Sequence, residues 1–83
     1  MYKLIISART KKELKQISKS HQEAIITALE EIKEDPLIGK PLTRELTGRF
    51  SFKVGVFRII YRVKGKDKTV QVITAGHRLK VYK

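Results

Sequence analysis

The chain has 83 residues, 41% of them apolar, with no cysteine and no tryptophan. That is enough for one small domain, spanning residues 1–83, with a modest core, and it excludes a disulfide framework or a thiolate metal site. Nineteen Lys/Arg stand against eight Asp/Glu for a net charge of +11, the footprint of a nucleic-acid binder or of a protein kept by an acidic partner.

The excess is uneven: nine bases and one acid from Phe50 onward, net +8, against net +3 in residues 1–49. The apolar run Leu4-Ile5-Ile6 is too short for a signal peptide and no segment is long enough to span a bilayer, so a cytoplasmic location is expected. Two histidines separated by most of the chain do not suggest a metal site.

Tyr2 to Ser7 reads as a short strand with Tyr2, Leu4 and Ile6 on one face. Thr10-Lys11-Lys12-Glu13 matches a capping box, which predicts a short helix carrying Leu14 and Ile17 and ending near Ser18-Lys19. Ser20-His21-Gln22-Glu23 is a second capping box, followed by Ile25, Ala28, Leu29 and Ile32 at the spacing of an amphipathic helix. Asp35-Pro36 stops that helix, and His21 in its first turn reads as a surface residue. Leu37 to Gly48 reads as a loop, with Leu42 and Leu46 anchoring it on the core.

Phe50 to Val54 and Phe57 to Val63 alternate as two strands around Gly55-Val56, the residues of a type II′ hairpin turn. That turn pairs Val54 with Phe57, Phe52 with Ile59 and Phe50 with Tyr61, which puts both apolar sets on one face. A third strand, Thr69 to Ala75, follows the turn Lys64 to Lys68. The expected fold is α+β, in the order strand-helix-helix-strand-strand-strand, with both helices on one face of a small, mainly antiparallel sheet. The other face, bearing Ser51, Lys53, Arg58, Arg62 and Gln71 together with Ile60 and Ile73, is expected to be open and positive.

On that face Lys53 falls opposite Arg58. Like charges directly opposite are destabilising, so the pair either shares an anion or is a solvated pair on an exposed hairpin. The meander brings Gly76-His77-Arg78 to the same end of the sheet. Tyr82 either packs on the core or stacks on a base beside the cations.

Gly55-Val56-Phe57-Arg58-Ile59-Ile60-Tyr61 and Gly76-His77-Arg78-Leu79-Lys80-Val81-Tyr82, with Lys40-Pro41-Leu42 and Leu46-Thr47-Gly48 before them, resemble the RelE branch of the RelE/ParE toxin superfamily. The resemblance implies a toxin that cleaves mRNA in the ribosomal A site by attack of the RNA's own 2′-hydroxyl, without metal or other cofactor. It also implies an acidic RelB-like antitoxin as partner, with mRNA and ribosomal RNA as the nucleic acids bound. Carried over by position, Lys53, Arg58, Arg78 and Tyr82 match the family's active-site residues, and Ser51, Arg62 and Lys80 are expected to contact RNA. Ser51 stands where RelE proteins commonly have a lysine implicated in proton transfer, which makes His77 the nearest candidate to compensate. The alternatives are a gyrase inhibitor in the manner of ParE, whose members generally lack this Arg and terminal Tyr pattern, or an RNA-binding module without chemistry.

Overall fold

The computed structural model describes residues 2–42 and 48–77; Leu46, Arg78, Leu79, Lys80, Val81 and Tyr82 lie outside the described residues. The elements run β1 (Lys3–Ile6), α1 (Ala8–Lys15), α2 (Lys19–Glu34), a single 3-10 turn (Pro36–Ile38), β2 (Lys40–Pro41), β3 (Arg49–Val54), β4 (Phe57–Lys64) and β5 (Thr69–His77). The strands form one sheet in the order β1-β5-β4-β3-β2, with β1 parallel to β5 and the other pairs antiparallel. This is the expected α+β arrangement, with one short strand, β2, added from the stretch read as loop.

The β3-β4 hairpin has the register that its alternation dictates: Val54 opposite Phe57, Phe52 opposite Ile59 and Phe50 opposite Tyr61. Gly55 has φ +60, while Lys68 is the non-glycine residue with positive φ among those described. A positive φ at the first central position and not the second defines the type II′ turn. The period of α2 sets the core. Ile25, Ala28, Leu29 and Ile32 are buried against Phe57, Ile59, Tyr61, Val70, Val72 and Ala75, and Phe50, Phe52, Val54, Leu14 and Ile17 pack around them. Each large apolar side chain taken from water there contributes roughly 1.5–3 kcal/mol.

Both helix starts differ from the capping boxes. The N-cap of α1 is Ser7 rather than Thr10: the Ser7 hydroxyl accepts from the Thr10 N–H at 3.1 Å and donates to the Ile73 carbonyl of β5 at 2.9 Å. Thr10 is fully buried one turn into the helix. The N-cap of α2 is Ser18 rather than Ser20, and its hydroxyl is bonded to His21 Nδ1 at 2.8 Å instead of capping the backbone. The first helix starts earlier than expected and ends earlier, at Lys15. The Gln22 amide of α2 ties down its end and the following link, donating to the Leu14 and Ile17 carbonyls at 2.5 and 3.1 Å.

Glu13, expected to reach back to its own helix start, instead serves the sheet. Strand β1 stops opposite Val72, and beyond that point the Glu13 carboxylate takes the place of a neighbouring strand. It accepts from the Thr74 hydroxyl at 2.8 Å and from the Ala75 N–H at 3.1 Å. A carboxylate in this position makes charge-assisted bonds, stronger than neutral ones. Glu13→Ala should therefore destabilise the domain by about 1–3 kcal/mol through the orphaned donors, measured as a lower urea midpoint at unchanged m-value. Its ion pair with Arg9, 3.6 Å long and with the arginine 61% exposed, adds little to that loss.

Tyr61, fully buried, ties the 36–41 segment to the sheet. Its hydroxyl donates to the Pro36 carbonyl at 2.7 Å and accepts from the Gly39 N–H at 3.0 Å. Burial holds this phenol above its usual pKa; the Gly39 bond pulls it back and the Asp35 carboxylate adds a smaller upward push. Its stabilising share is thus complete below the unfolded value of ~10. It is lost as pH rises toward the folded value, because the unfolded chain ionises first. Wild-type stability should fall more steeply than that of Tyr61→Phe above about pH 10 in parallel denaturation series.

The face of the sheet turned from the helices, expected to be open and positive, is not open throughout. Ser51, Ile60 and Thr74 lie side by side across β3, β4 and β5 and are 6%, 4% and 3% exposed. The cations of this face therefore flank a buried centre. An irregularity at Ile60/Tyr61 leaves Ile73 as the extra residue of β5.

Candidate nucleic-acid interface

The hairpin register puts Lys53 directly opposite Arg58, and β5 adds Gly76 as the next neighbour of Arg58. Phe52, Val54, Phe57 and Ile59 face the helices, so strand alternation turns Lys53 and Arg58 to the other face. Lys53 is exposed and Arg58 half-buried. Gly76 brings no side chain to the space beside the guanidinium. The pair therefore concentrates positive charge at one end of the sheet, able to hold a phosphate over that face.

His77 does not join it. It pairs with Phe57, on the face that packs against the helices, with the two rings edge to face at 6.1 Å. It lines a cavity of about 210 Å³ with Glu13, Gln16, Ile17, Phe57, Ala75 and Gly76. The expected convergence of His77 with Lys53 and Arg58 is thereby corrected. Strict alternation from Gln71 and Ile73 would have kept His77 on the face of Lys53 and Arg58; the extra residue Ile73 shifts the parity of β5, so Thr74 and Gly76 take that face and Ala75 and His77 turn to the helices. His21, expected at the surface, is exposed but also rests on Phe57, with ring centroids 5.0 Å apart.

Of the remaining expected residues, Ser51 is buried two positions from Lys53 on the same face, and Arg62 is exposed. Arg78, Tyr82 and Lys80 lie outside the described residues. Two cations escaped the sequence reading. Strand β3 begins at Arg49, one residue earlier than expected, and Arg49 sits opposite Arg62; Lys40 of β2 sits opposite Ser51. Extending the alternation one step back from Phe50 would have found Arg49. Lys40 needed β2, which its proline and glycine neighbours hid. Among the described residues no group of three His, Cys, Asp or Glu side chains is placed to hold a metal, and no helix is long and apolar enough to cross a membrane.

A sheet of this order, crossed by two helices on one face and carrying paired cations on the other, defines a small basic α+β domain of the toxin type. The family model describing the ParE toxin of type II toxin-antitoxin systems, parDE, matches residues 4–82, and the chain belongs to this RelE/ParE superfamily of toxins. A 57-residue stretch is 39% identical to Toxin RelG of Mycobacterium tuberculosis, covering 68% of this chain and 66% of that protein. The fold superposes on the toxin-antitoxin complex RelBE2 of Mycobacterium tuberculosis with a TM-score of 0.85 at 30% identity, over 93% of this chain and 98% of that one. It superposes on the isolated E. coli RelE toxin with a TM-score of 0.80 at 27% identity, over 99% of this chain and 92% of that one.

Proposed function

We propose that this toxin is a ribosome-dependent mRNA endonuclease, acting in the A site and neutralised by an acidic antitoxin. The directly opposed Lys53 and Arg58, on the sheet face away from the helices and next to the end of β5, carry this reading. In the reaction the 2′-oxygen attacks the adjacent phosphorus as its proton leaves. A cyclic phosphate forms, and the departing 5′-oxygen takes up a proton. Lys53 and Arg58 neutralise the charge that builds on the phosphoryl oxygens, and Arg78, following His77 in sequence, is assigned the same task. Arginine stays protonated and does not exchange protons near neutrality, so the proton transfers fall to Lys53, Tyr82 or groups of the ribosome. With His77 turned to the helix face, His77→Ala should keep the wild-type pH profile of single-turnover cleavage between about pH 5.5 and 9. A shifted profile would return the imidazole to the reaction.

The net charge of +11 supports an acidic antitoxin as the partner, and similar toxins have been crystallised as RelBE complexes. Primer extension on translated mRNA tests the nuclease: cuts within the A-site codon are expected. The ParE description of the matching family model favours a second reading, gyrase inhibition, under which mRNA stays intact and DNA damage accumulates instead.

A further inference from the structure

The sheet face that carries Lys53 and Arg58 holds a second like-charged pair, Arg49 directly opposite Arg62. The two pairs occupy the two ends of the same hairpin. Four residues along each strand separate them, ~13–14 Å at the rise of an antiparallel strand, and Ser51 and Ile60 lie closed between them at 6% and 4% exposure. The ion pair found among the described residues is Arg9 with Glu13, so no described carboxylate offsets Arg49 or Arg62. One cross-strand pair of cations is a local cost; two on one face of the same hairpin form a track for a polyanion. We infer that Arg49 and Arg62 form a second phosphate subsite. It grips the backbone of the cleaved RNA strand a few nucleotides from the phosphate held by Lys53 and Arg58, and so positions the strand for cutting.

A planar guanidinium on each strand suits phosphate oxygens better than a point charge does. The subsite lies on the same face as the cutting pair and continues it, which favours the messenger strand over ribosomal RNA elsewhere. A protein partner is the poorer fit, because three of the exposed large apolar residues that would anchor one, Ile26, Leu37 and Ile38, lie on α2 and the 3-10 turn, Ile5 lies on β1, and Val56 sits at the far end of the hairpin from Arg49 and Arg62.

The inference rests on the nuclease reading, and its test separates the two. Wild type, the double variant Arg49→Ala/Arg62→Ala and a charge-matched control, Lys11→Ala/Lys12→Ala, two exposed residues of α1 on the other side of the sheet, are compared in two ways. The first is affinity for a short single-stranded RNA across a salt series. The double variant should bind at least ~10-fold more weakly, with a salt slope shallower by about 1.4, the loss of two phosphate contacts, and the control should stay near wild type. The second is cleavage on programmed ribosomes, where the half-saturating toxin concentration should rise by a similar factor and Arg49→Lys/Arg62→Lys should recover only part of the loss. If wild type fails to cut while the double variant still loses RNA affinity, the nuclease reading falls and the subsite stands. Equal losses in the double variant and the control, or none in either, overturn the subsite. So does a loss of affinity seen only with ribosomes lacking mRNA, or only with an acidic antitoxin, each of which assigns the pair to another partner.

Discussion

Arg58→Ala should lower ribosome-dependent cleavage by ~100- to 1000-fold, the usual effect of removing one charge-stabilising donor from a phosphoryl-transfer site, and should abolish growth arrest at matched expression. The size follows from where Arg58 sits. It is half-buried on β4, bracketed by Lys53 on one side and by Gly76 on the other. The strands fix its backbone and half-burial narrows the freedom of its side chain, where a fully exposed arginine would have to be ordered by the substrate. Lys53, exposed on β3, is held less firmly and should cost less when removed. Arg58→Lys keeps the charge but loses the planar fork, and should fall between wild type and alanine. Circular dichroism and the melting curve distinguish lost chemistry from lost fold. An Arg58→Ala protein that is folded and still cleaves at the wild-type rate would remove the pair from the active site.

How much of this was readable beforehand depended on range. The hairpin was legible because its information is local: two alternating apolar runs and a glycine at the position that needs positive φ leave one register. The α2 stripe was legible for the same reason, and its four apolar residues are all buried. The helix caps were not. Between Ser7 and Thr10 the choice is made by the Ile73 carbonyl, 66 residues away, which binds the Ser7 hydroxyl. Glu13 likewise takes its role from the end of β1, which leaves that edge of β5 without a strand beyond Val72. At the site, the Lys53-Arg58 pairing followed from the turn alone. The side on which His77 emerges depended on the extra residue Ile73, which shifts the alternation of β5, and on the strand running to His77, two residues past the expected end. Tyr61 belonged to the motif that carried the family resemblance, yet it works in the core, and nothing in its neighbours names Pro36 and Gly39 as its partners.

That last contact gives the second large effect, and it is one of stability. Gly39 is buried, and a Cβ built there would run into the Tyr61 hydroxyl and lie 3.1 Å from the Ser51 carbonyl oxygen. Neither neighbour yields easily: the tyrosine is held by its bond to Pro36, and the carbonyl belongs to the β3 backbone. Gly39→Ala should therefore cost about 1–3 kcal/mol by overpacking, toward the upper end because the buried ring has no room to retreat. Tyr61→Phe should cost about 1–3 kcal/mol for a different reason, leaving the Gly39 N–H and the Pro36 carbonyl without the partner they share. The two costs should not add. Once the hydroxyl is gone the new methyl meets only the Ser51 carbonyl and the ring edge, so Gly39→Ala should be milder in the Tyr61→Phe background. A coupling within about 0.5–3 kcal/mol is expected for residues in direct contact. Urea denaturation of the four proteins of this cycle measures it. Strict additivity would mean that the segment before β2 shifts away from Tyr61 in the single variant, and that the hydroxyl does not fix its position on the sheet.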